Sequence, residues 1–505
     1  MRKIGSIFSL LTVSAGLVAA LGCGPPPKPV ALVQAPPPPP PPDVQVARPV
    51  DPQLVDLTGT PGSTAVLAGV AGDVTVRIRV EARAMPRTQR PPLNLGLVID
   101  TSGSMAGQAI DDARAAAIAL VDQLEPGDRL AVVVFHSRTE ILVPSLIISK
   151  ANVADIKARL GAMQATGTTD MGNGLAVGLQ QVEANYRQDG LNRVVLLGDG
   201  VPNDPSALAG LAQRAASEKI TMTMLGLGVD YDETLMAALA QQTGGTFRYL
   251  DDSTKVAQAF EQEITRMTRV VARGIMLRLQ AGPGVVIKSV SGQPGQTGTA
   301  LAFGLGDLSE NERRDLVVRL SAPGRKAGAT VELLDAQLSF EDMVAGAGAL
   351  ERHSFVGVRA GDARDVAAGA DDEVMRLAAR AALAEAVLAA IATARAGQVP
   401  EARGILTRAA REAAAALKLR DDPELRAKLA ELPALEQSLP TLAPPQEVAQ
   451  PTAADTTGPT KPGRKKLPQP SPTPQPEPPT TAPSIIKGAS SDAAETLSNP
   501  RPTSN

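Results

Sequence analysis

Between residues 93 and 267 the chain alternates short unbroken apolar runs with longer stretches of helical period, and few folds accommodate that alternation. Segments 93–100, 129–136, 193–199, 220–226 and 246–250 read as strands. Segments 108–124, 153–160, 171–186, 205–217, 232–242 and 253–267 read as amphipathic helices. A strand that is apolar at nearly every position needs cover on both faces, and the intervening helices supply it. The expected fold is therefore α/β, a doubly wound, mainly parallel sheet.

In such a sheet, ligands collect beyond the C-terminal ends of the strands. The first strand ends in Asp100-Thr101-Ser102-Gly103-Ser104, and the strand over 193–199 ends in Asp199, followed by Gly200. The loop Thr166-Gly167-Thr168-Thr169-Asp170 precedes a helix that has Gly174 near its start. Each hydroxyl or carboxylate alone also fits a helix cap. Together, three oxygen-bearing loops on one sheet edge can converge on a hard cation such as Mg2+, which prefers carboxylate, hydroxyl and water ligands.

These residues resemble the von Willebrand factor type A domain with its metal-ion-dependent adhesion site, over roughly residues 91–269. The framework agrees: Pro126-Gly127-Asp128-Arg129-Leu130 precedes a strand, and Leu225-Gly226-Leu227-Gly228 closes another. The resemblance implies that Ser102 and Ser104 coordinate a metal directly, that Thr169 joins in the ligand-bound state, and that Asp100 and Asp199 act largely through water. Thr169 is preferred to Thr168 because the family places a glycine five residues after its threonine, where Gly174 stands. The implied ion is Mg2+, with Mn2+ or Ca2+ as alternatives. The implied chemistry is capture of an Asp or Glu carboxylate from a protein partner, with no catalytic residue.

One enzymatic alternative competes. Leu197-Gly198-Asp199-Gly200-Val201-Pro202-Asn203-Asp204 is similar to an element of haloacid-dehalogenase-type phosphotransferases, which would make Asp100 a nucleophile. Pro202 breaks the spacing of that element. The chain also has no lysine between Lys157 and Lys219 to neutralise a phosphate, and Arg187 and Arg193 are poorly placed to substitute. His136 and His353 are the only histidines, and His136 reads as a rim residue beside the site. No phosphate-binding GxxxxGKS loop, HExxH or paired-cysteine spacing is present.

The formal net charge of -3, 2% aromatic residues and absence of tryptophan point away from nucleic acid. Residues 1–23 resemble a bacterial lipoprotein signal: Arg2 and Lys3, an uncharged run, then Cys23, the only cysteine and the expected lipidation site. With no second cysteine there is no intramolecular disulfide. Gly24 after the cysteine favours outer-membrane sorting in a Gram-negative host. Residues 24–52 read as a proline-rich spacer and 440–505 as a disordered Pro/Thr/Ser-rich tail.

The strand-like alternation at Thr75-Val76-Arg77-Ile78-Arg79-Val80 returns after residue 274, in segments 275–280, 285–290, 300–304, 314–320, 329–334 and 336–340. The α/β domain (92–270) is thus expected as an insertion into an antiparallel β-sandwich built from 53–91 and 271–360. This order is similar to bacterial secreted proteins of the class and to inter-alpha-trypsin inhibitor heavy chains. Residues 371–439 read as a small helical segment, turning near Gly397 and Pro400, with no 34-residue repeat of tetratricopeptide type. The expected function is a lipid-anchored envelope protein that captures a partner for adhesion or complex assembly. The alternative is an accessory, chaperone-like subunit that presents a partner to an AAA-type or metal-handling enzyme.

Overall fold

A computed structural model describes residues 50–84, 90–199, 205–228, 233–293, 295–442, 482–498 and 501–502. The chain begins in a β-sandwich with β1 (Val55–Pro61), β2 (Ala65–Leu67) and β3 (Gly72–Ala82). It then enters the inserted domain through β4 (Leu93–Asp100), α1 (Gln108–Gln123), β5 (Arg129–Phe135), β6 (Thr139–Ile147), α2 (Val153–Gly161), α3 (Met171–Glu183) and β7 (Leu191–Gly198). α4 (Pro205–Ser217), β8 (Thr221–Leu227), α5 (Glu233–Gln242), β9 (Phe247–Leu250) and α6 (Val256–Thr268) complete it. The sandwich resumes with β10 (Val270–Ala281), β11 (Val286–Val290), β12 (Ala300–Ser309), β13 (Glu312–Ala322), β14 (Thr330–Asp342) and β15 (Ala349–Gly361). The helices α7 (Ala363–Ala368), α8 (Asp372–Arg395), α9 (Val399–Leu419), α10 (Pro423–Ser438) and α11 (Ala482–Ser498) follow, with a short β16 (Arg501–Pro502).

The inserted domain has a six-stranded sheet ordered β6-β5-β4-β7-β8-β9, parallel except for β6. β4 and β7 are buried at every position because α1 and α6 cover one face of the sheet and α3, α4 and α5 the other. The sandwich pairs β1-β3-β13-β11 against β12-β10-β14-β15-β2 around a core that includes Val76, Ile78, Leu277, Leu320 and Leu338. β3 lies in one sheet and β10 in the other, so the inserted domain sits between strands that the sandwich core joins.

β6 has no counterpart among the expected strands. It is an antiparallel edge strand, mostly half-exposed and interrupted by Pro144, so it lacks the continuous apolar run of its neighbours. The two expected strands at 329–334 and 336–340 are one strand, β14. A register shift between Glu332 and Leu334 buries both Leu333 and Leu334 and breaks the alternation. β15 was not expected either, because its first half buries no side chain.

The expectation of a wholly disordered tail over 440–505 is corrected for α11. Ile486 and Ala493 are buried and join the apolar cluster of α8, α9 and α10. The Pro/Thr/Ser-rich run over 440–481 before it concealed this helix, whose own apolar residues Ile485, Ile486, Ala489, Ala493 and Leu497 recur at helical spacing. The lipoprotein signal, Cys23, nearly all of the proline-rich spacer and most of the tail lie outside the described residues.

Candidate metal centre

β4 and β7 are hydrogen-bonded neighbours, with Ile99 opposite Leu197, so Asp100 and Asp199 emerge side by side at one sheet edge. After β4 the chain makes a 3-10 turn over Gly103–Met105. That turn brings the Ser102 and Ser104 hydroxyls to 2.9 Å from each other, and Ser104 Oγ donates to Asp199 Oδ1 at 2.8 Å. Asp100 Oδ1 accepts the Ser102 backbone N–H at 2.8 Å.

The loop over 166–170 is stitched to both neighbouring loops. Thr166 N donates to Thr101 O (2.7 Å), Gly103 N to Gly167 O (3.0 Å) and Asp170 N to His136 O (3.0 Å). Gly167 adopts φ +74°, and a Cβ there would stand 2.2 Å from Ser137 Oγ, so the tight crossing requires glycine. Within this loop Thr168 is exposed and Thr169 half-buried, while the Asp170 side chain caps α3 through Asn173 N at 3.2 Å. Gly174 fixes how closely α3 approaches the sheet: a Cβ there would lie 2.6 Å from the Phe135 ring, which is fully buried.

Asp100 is completely buried, and its Oδ2 has no hydrogen-bond partner among the described residues. Burial pushes its carboxyl up to about 6 and the nearby Asp199 charge adds to this, against hydrogen bonds from Ser102 and the Asp199 backbone. A buried carboxylate beside a second one, with one oxygen left over and hydroxyls at the rim, is an arrangement that a divalent cation relieves. The donor set is all oxygen, which matches a hard cation. The residues therefore fit the metal that the resemblance implies.

His136 stands just beyond β5 with its ring half-exposed, and its Nδ1 accepts from Arg138 N at 3.3 Å. It is a rim residue. Arg187 pairs with Asp189 (3.2 Å) and donates to Gly127 O (2.8 Å), while Arg193 pairs with Asp307 of the sandwich at 2.7 Å. Neither is spent on Asp100. Residues 200–204, which carry the rest of the phosphotransferase-like element, lie outside the described residues. The Asp128 of the Pro-Gly-Asp motif is structural. It accepts from Leu93 N (2.9 Å) and Glu125 N (2.8 Å) and holds Arg90, clamping the start of β4 to that of β5.

The end of the inserted domain opposite the site is fastened to the sandwich by charges that the strand pattern did not reveal. Besides Arg193–Asp307, Arg266 at the end of α6 reaches Glu312 at 3.2 Å, and Glu312 also pairs with Arg314 at 2.8 Å. Burial alone would raise the Glu312 carboxyl, but Arg266 and Arg314 overturn that and hold it down at about 2. Arg273 of β10 caps the carbonyls of Gln188 and Gly190 and pairs with Glu341.

The parallel sheet and its covering helices form an α/β domain with an oxygen-lined edge. A family profile described as the von Willebrand factor type A domain matches residues 94–262, and this part of the chain belongs to that family. Such domains commonly bind a divalent cation and mediate protein–protein interaction. The chain is similar to the uncharacterized protein sll0103 of Synechocystis, 31% identical over 258 residues that span 48% of this chain and 61% of that protein. It is also similar to human inter-alpha-trypsin inhibitor heavy chain H4, 30% identical over 186 residues, 34% of this chain and 20% of that protein. The chain thus spans less than two thirds of either relative. Among solved structures, a von Willebrand factor type A protein from Catenulispora acidiphila shares the fold with a TM-score of 0.62 at 21% identity, covering 76% of this chain and 90% of that one.

Proposed function

We propose that this protein is a non-enzymatic, lipid-anchored envelope protein that captures an acidic side chain of a protein partner through Mg2+ at the edge formed by Asp100, Ser102, Ser104, Thr169 and Asp199. The observation that carries the reading is the fully buried Asp100 with its unpartnered Oδ2, set beside hydrogen-bonded Ser102, Ser104 and Asp199. When bound, the cation supplies an electrophilic position that accepts a carboxylate oxygen.

The chain's own residues do the rest. Ser102 and Ser104 present neutral hydroxyl oxygens, so the charge of the ion is not quenched by direct carboxylate ligation. Asp100 and Asp199 balance that charge from behind, and the half-buried position of Thr169 supports its role over Thr168. The sandwich holds the base of the domain about 20 Å from the site, at the opposite strand ends, which leaves the metal edge facing outward. Cys23 would carry the lipid, and Mn2+ or Ca2+ are the alternative ions.

Pull-down from an envelope extract with the whole chain as bait, in MgCl2 and in EDTA, tests the reading alongside Asp100→Ala and Ser102→Ala baits. Capture should need Mg2+ and be lost with either substitution. A partner retained equally by all baits in EDTA would end the proposal. Cys23→Ser should move the protein from the membrane to the soluble fraction and abolish incorporation of labelled palmitate.

A further inference from the structure

α11 lies in a groove between α8 and α10 and also touches α5 and β9 of the inserted domain. Ile486, Ser490 and Ala493 point inward and are buried, and Ser491 Oγ accepts the Tyr249 backbone N–H at 3.3 Å. Only residues 443–481 connect it to the helix before it, so it is a tethered segment seated on a surface made by others.

Its fit is incomplete in separate ways. A pocket of about 290 Å³, open to solvent, runs along it, lined by Leu383, Val387 and Leu432 of the groove and by Gly488, Ala489 and Ala493 of α11. Apolar side chains that face such an opening forgo the burial and contacts that a bulkier neighbour would supply. Ser490 Oγ is fully buried and finds no hydrogen-bond partner among the described residues, a loss that a well-matched helix avoids.

The charges are also mismatched. Glu431 of α10 and Asp492 of α11 both border the pocket. Burial first, and then the charge of Asp492, push the Glu431 carboxyl above its ordinary range against the pull of Lys428. Lys428 itself donates to the Thr496 hydroxyl at 2.6 Å and to the Asp492 carbonyl at 3.4 Å.

We propose that α11 is a displaceable plug, and that the groove between α8 and α10 is a docking site for an amphipathic helix of a protein partner. That helix is bulkier than α11 where Gly488, Ala489 and Ala493 stand, and basic where Asp492 stands. Larger apolar side chains cover the open pocket, and a basic residue converts the Glu431 repulsion into a pair. Recognition is then of the helix-in-groove kind, read by residues one turn apart on a single face. The tether keeps a displaced α11 close at hand, so the partner competes with an intramolecular rival. Exchange also lifts α11 away from β9, which connects the groove to the inserted domain. The site needs no cation and stands independently of Asp100.

The test uses the whole chain and a fluorescein-labelled synthetic peptide of residues 482–498 carrying Gly488→Ala, Ala489→Leu and Asp492→Lys. Fluorescence anisotropy should show saturable binding to the unaltered chain. In the Ala493→Glu chain, where a buried charge expels α11, binding should tighten about tenfold. In the Asp492→Lys chain, where the plug gains a pair with Glu431, it should weaken about tenfold. Hydrogen exchange on the unaltered chain should find the α11 amides opening about tenfold or more faster than those of α8. Affinities equal across the chains, or α11 amides as protected as those of α8, would overturn the proposal. Asp492 is exposed, so its variant folds and decides the matter even where Ala493→Glu does not.

Discussion

Replacing Asp100 by Asn should make the metal-free protein more stable while removing its response to Mg2+. Asp100 is fully buried, and burial together with the Asp199 charge moves its carboxyl from an ordinary 3.8 to about 6. Keeping that group ionised at pH 7.5 therefore costs about 3 kcal/mol of folding free energy. The sign follows from the raised value: the folded state holds the proton more tightly than the unfolded chain. Stability of the metal-free protein thus falls as pH rises from about 4 through about 6 and stays low above it. Asn preserves the acceptor for Ser102 N and carries no charge. In EDTA at pH 7.5, urea unfolding followed by circular dichroism should show the variant ahead of the wild type by up to about 3 kcal/mol. The gap should close near pH 4. With Mg2+ at about a hundred times its dissociation constant, the wild type should gain about 2.7 kcal/mol and the variant nothing. A variant less stable than wild type in EDTA at pH 7.5, or one that Mg2+ still stabilises, would refute this reasoning.

Further consequences follow from particular contacts. Glu312→Gln strands the buried Arg314 guanidinium and removes the partner of the half-buried Arg266, and should destabilise the chain by about 3 kcal/mol in urea unfolding. Because Glu312 is held at about 2 in the fold, its contribution should be intact above about pH 4.5 and disappear as pH falls through 2. Gly174→Leu drives a side chain into Phe135, which has no room to move, and should cost about 1–3 kcal/mol and abolish Mg2+-induced stabilisation. Thr169→Ala should remove Mg2+-dependent partner capture in a pull-down, whereas Thr168→Ala should leave it intact.

The inserted domain was legible because its physics is local. A strand buried on both faces is apolar at most positions, and β4, β7 and β8 are so apart from Asn94 and Asp100, Asn192 and Arg193, and Thr221 and Thr223. The Asp100-Ser102-Ser104 turn was legible for the same reason, since its oxygens lie within five residues. Thr169 was reached through the spacing to Gly174, and the structure supplies a physical reason for that glycine in the approach of α3 to Phe135. What stayed hidden depends on partners far apart in sequence. Arg193 reads as a charge at the wrong end of a strand until Asp307 appears opposite it, and Glu312 reveals nothing until Arg266 and Arg314 converge on it. α11 was missed although Ile485, Ile486, Ala489, Ala493 and Leu497 recur at helical spacing, because the Pro, Thr and Ser content of 440–481 was extended to the whole tail.

Everything proposed for this edge depends on the oxygens of Ser102 and Ser104 holding a divalent cation. Anomalous diffraction from crystals soaked in MnCl2 addresses it directly. A single strong peak is expected at this edge, about 2.1 Å from both Ser102 Oγ and Ser104 Oγ, absent in crystals of the Ser102→Ala protein. Crystals that take up Mn2+ elsewhere, or show no peak at this edge at saturating Mn2+, would contradict it.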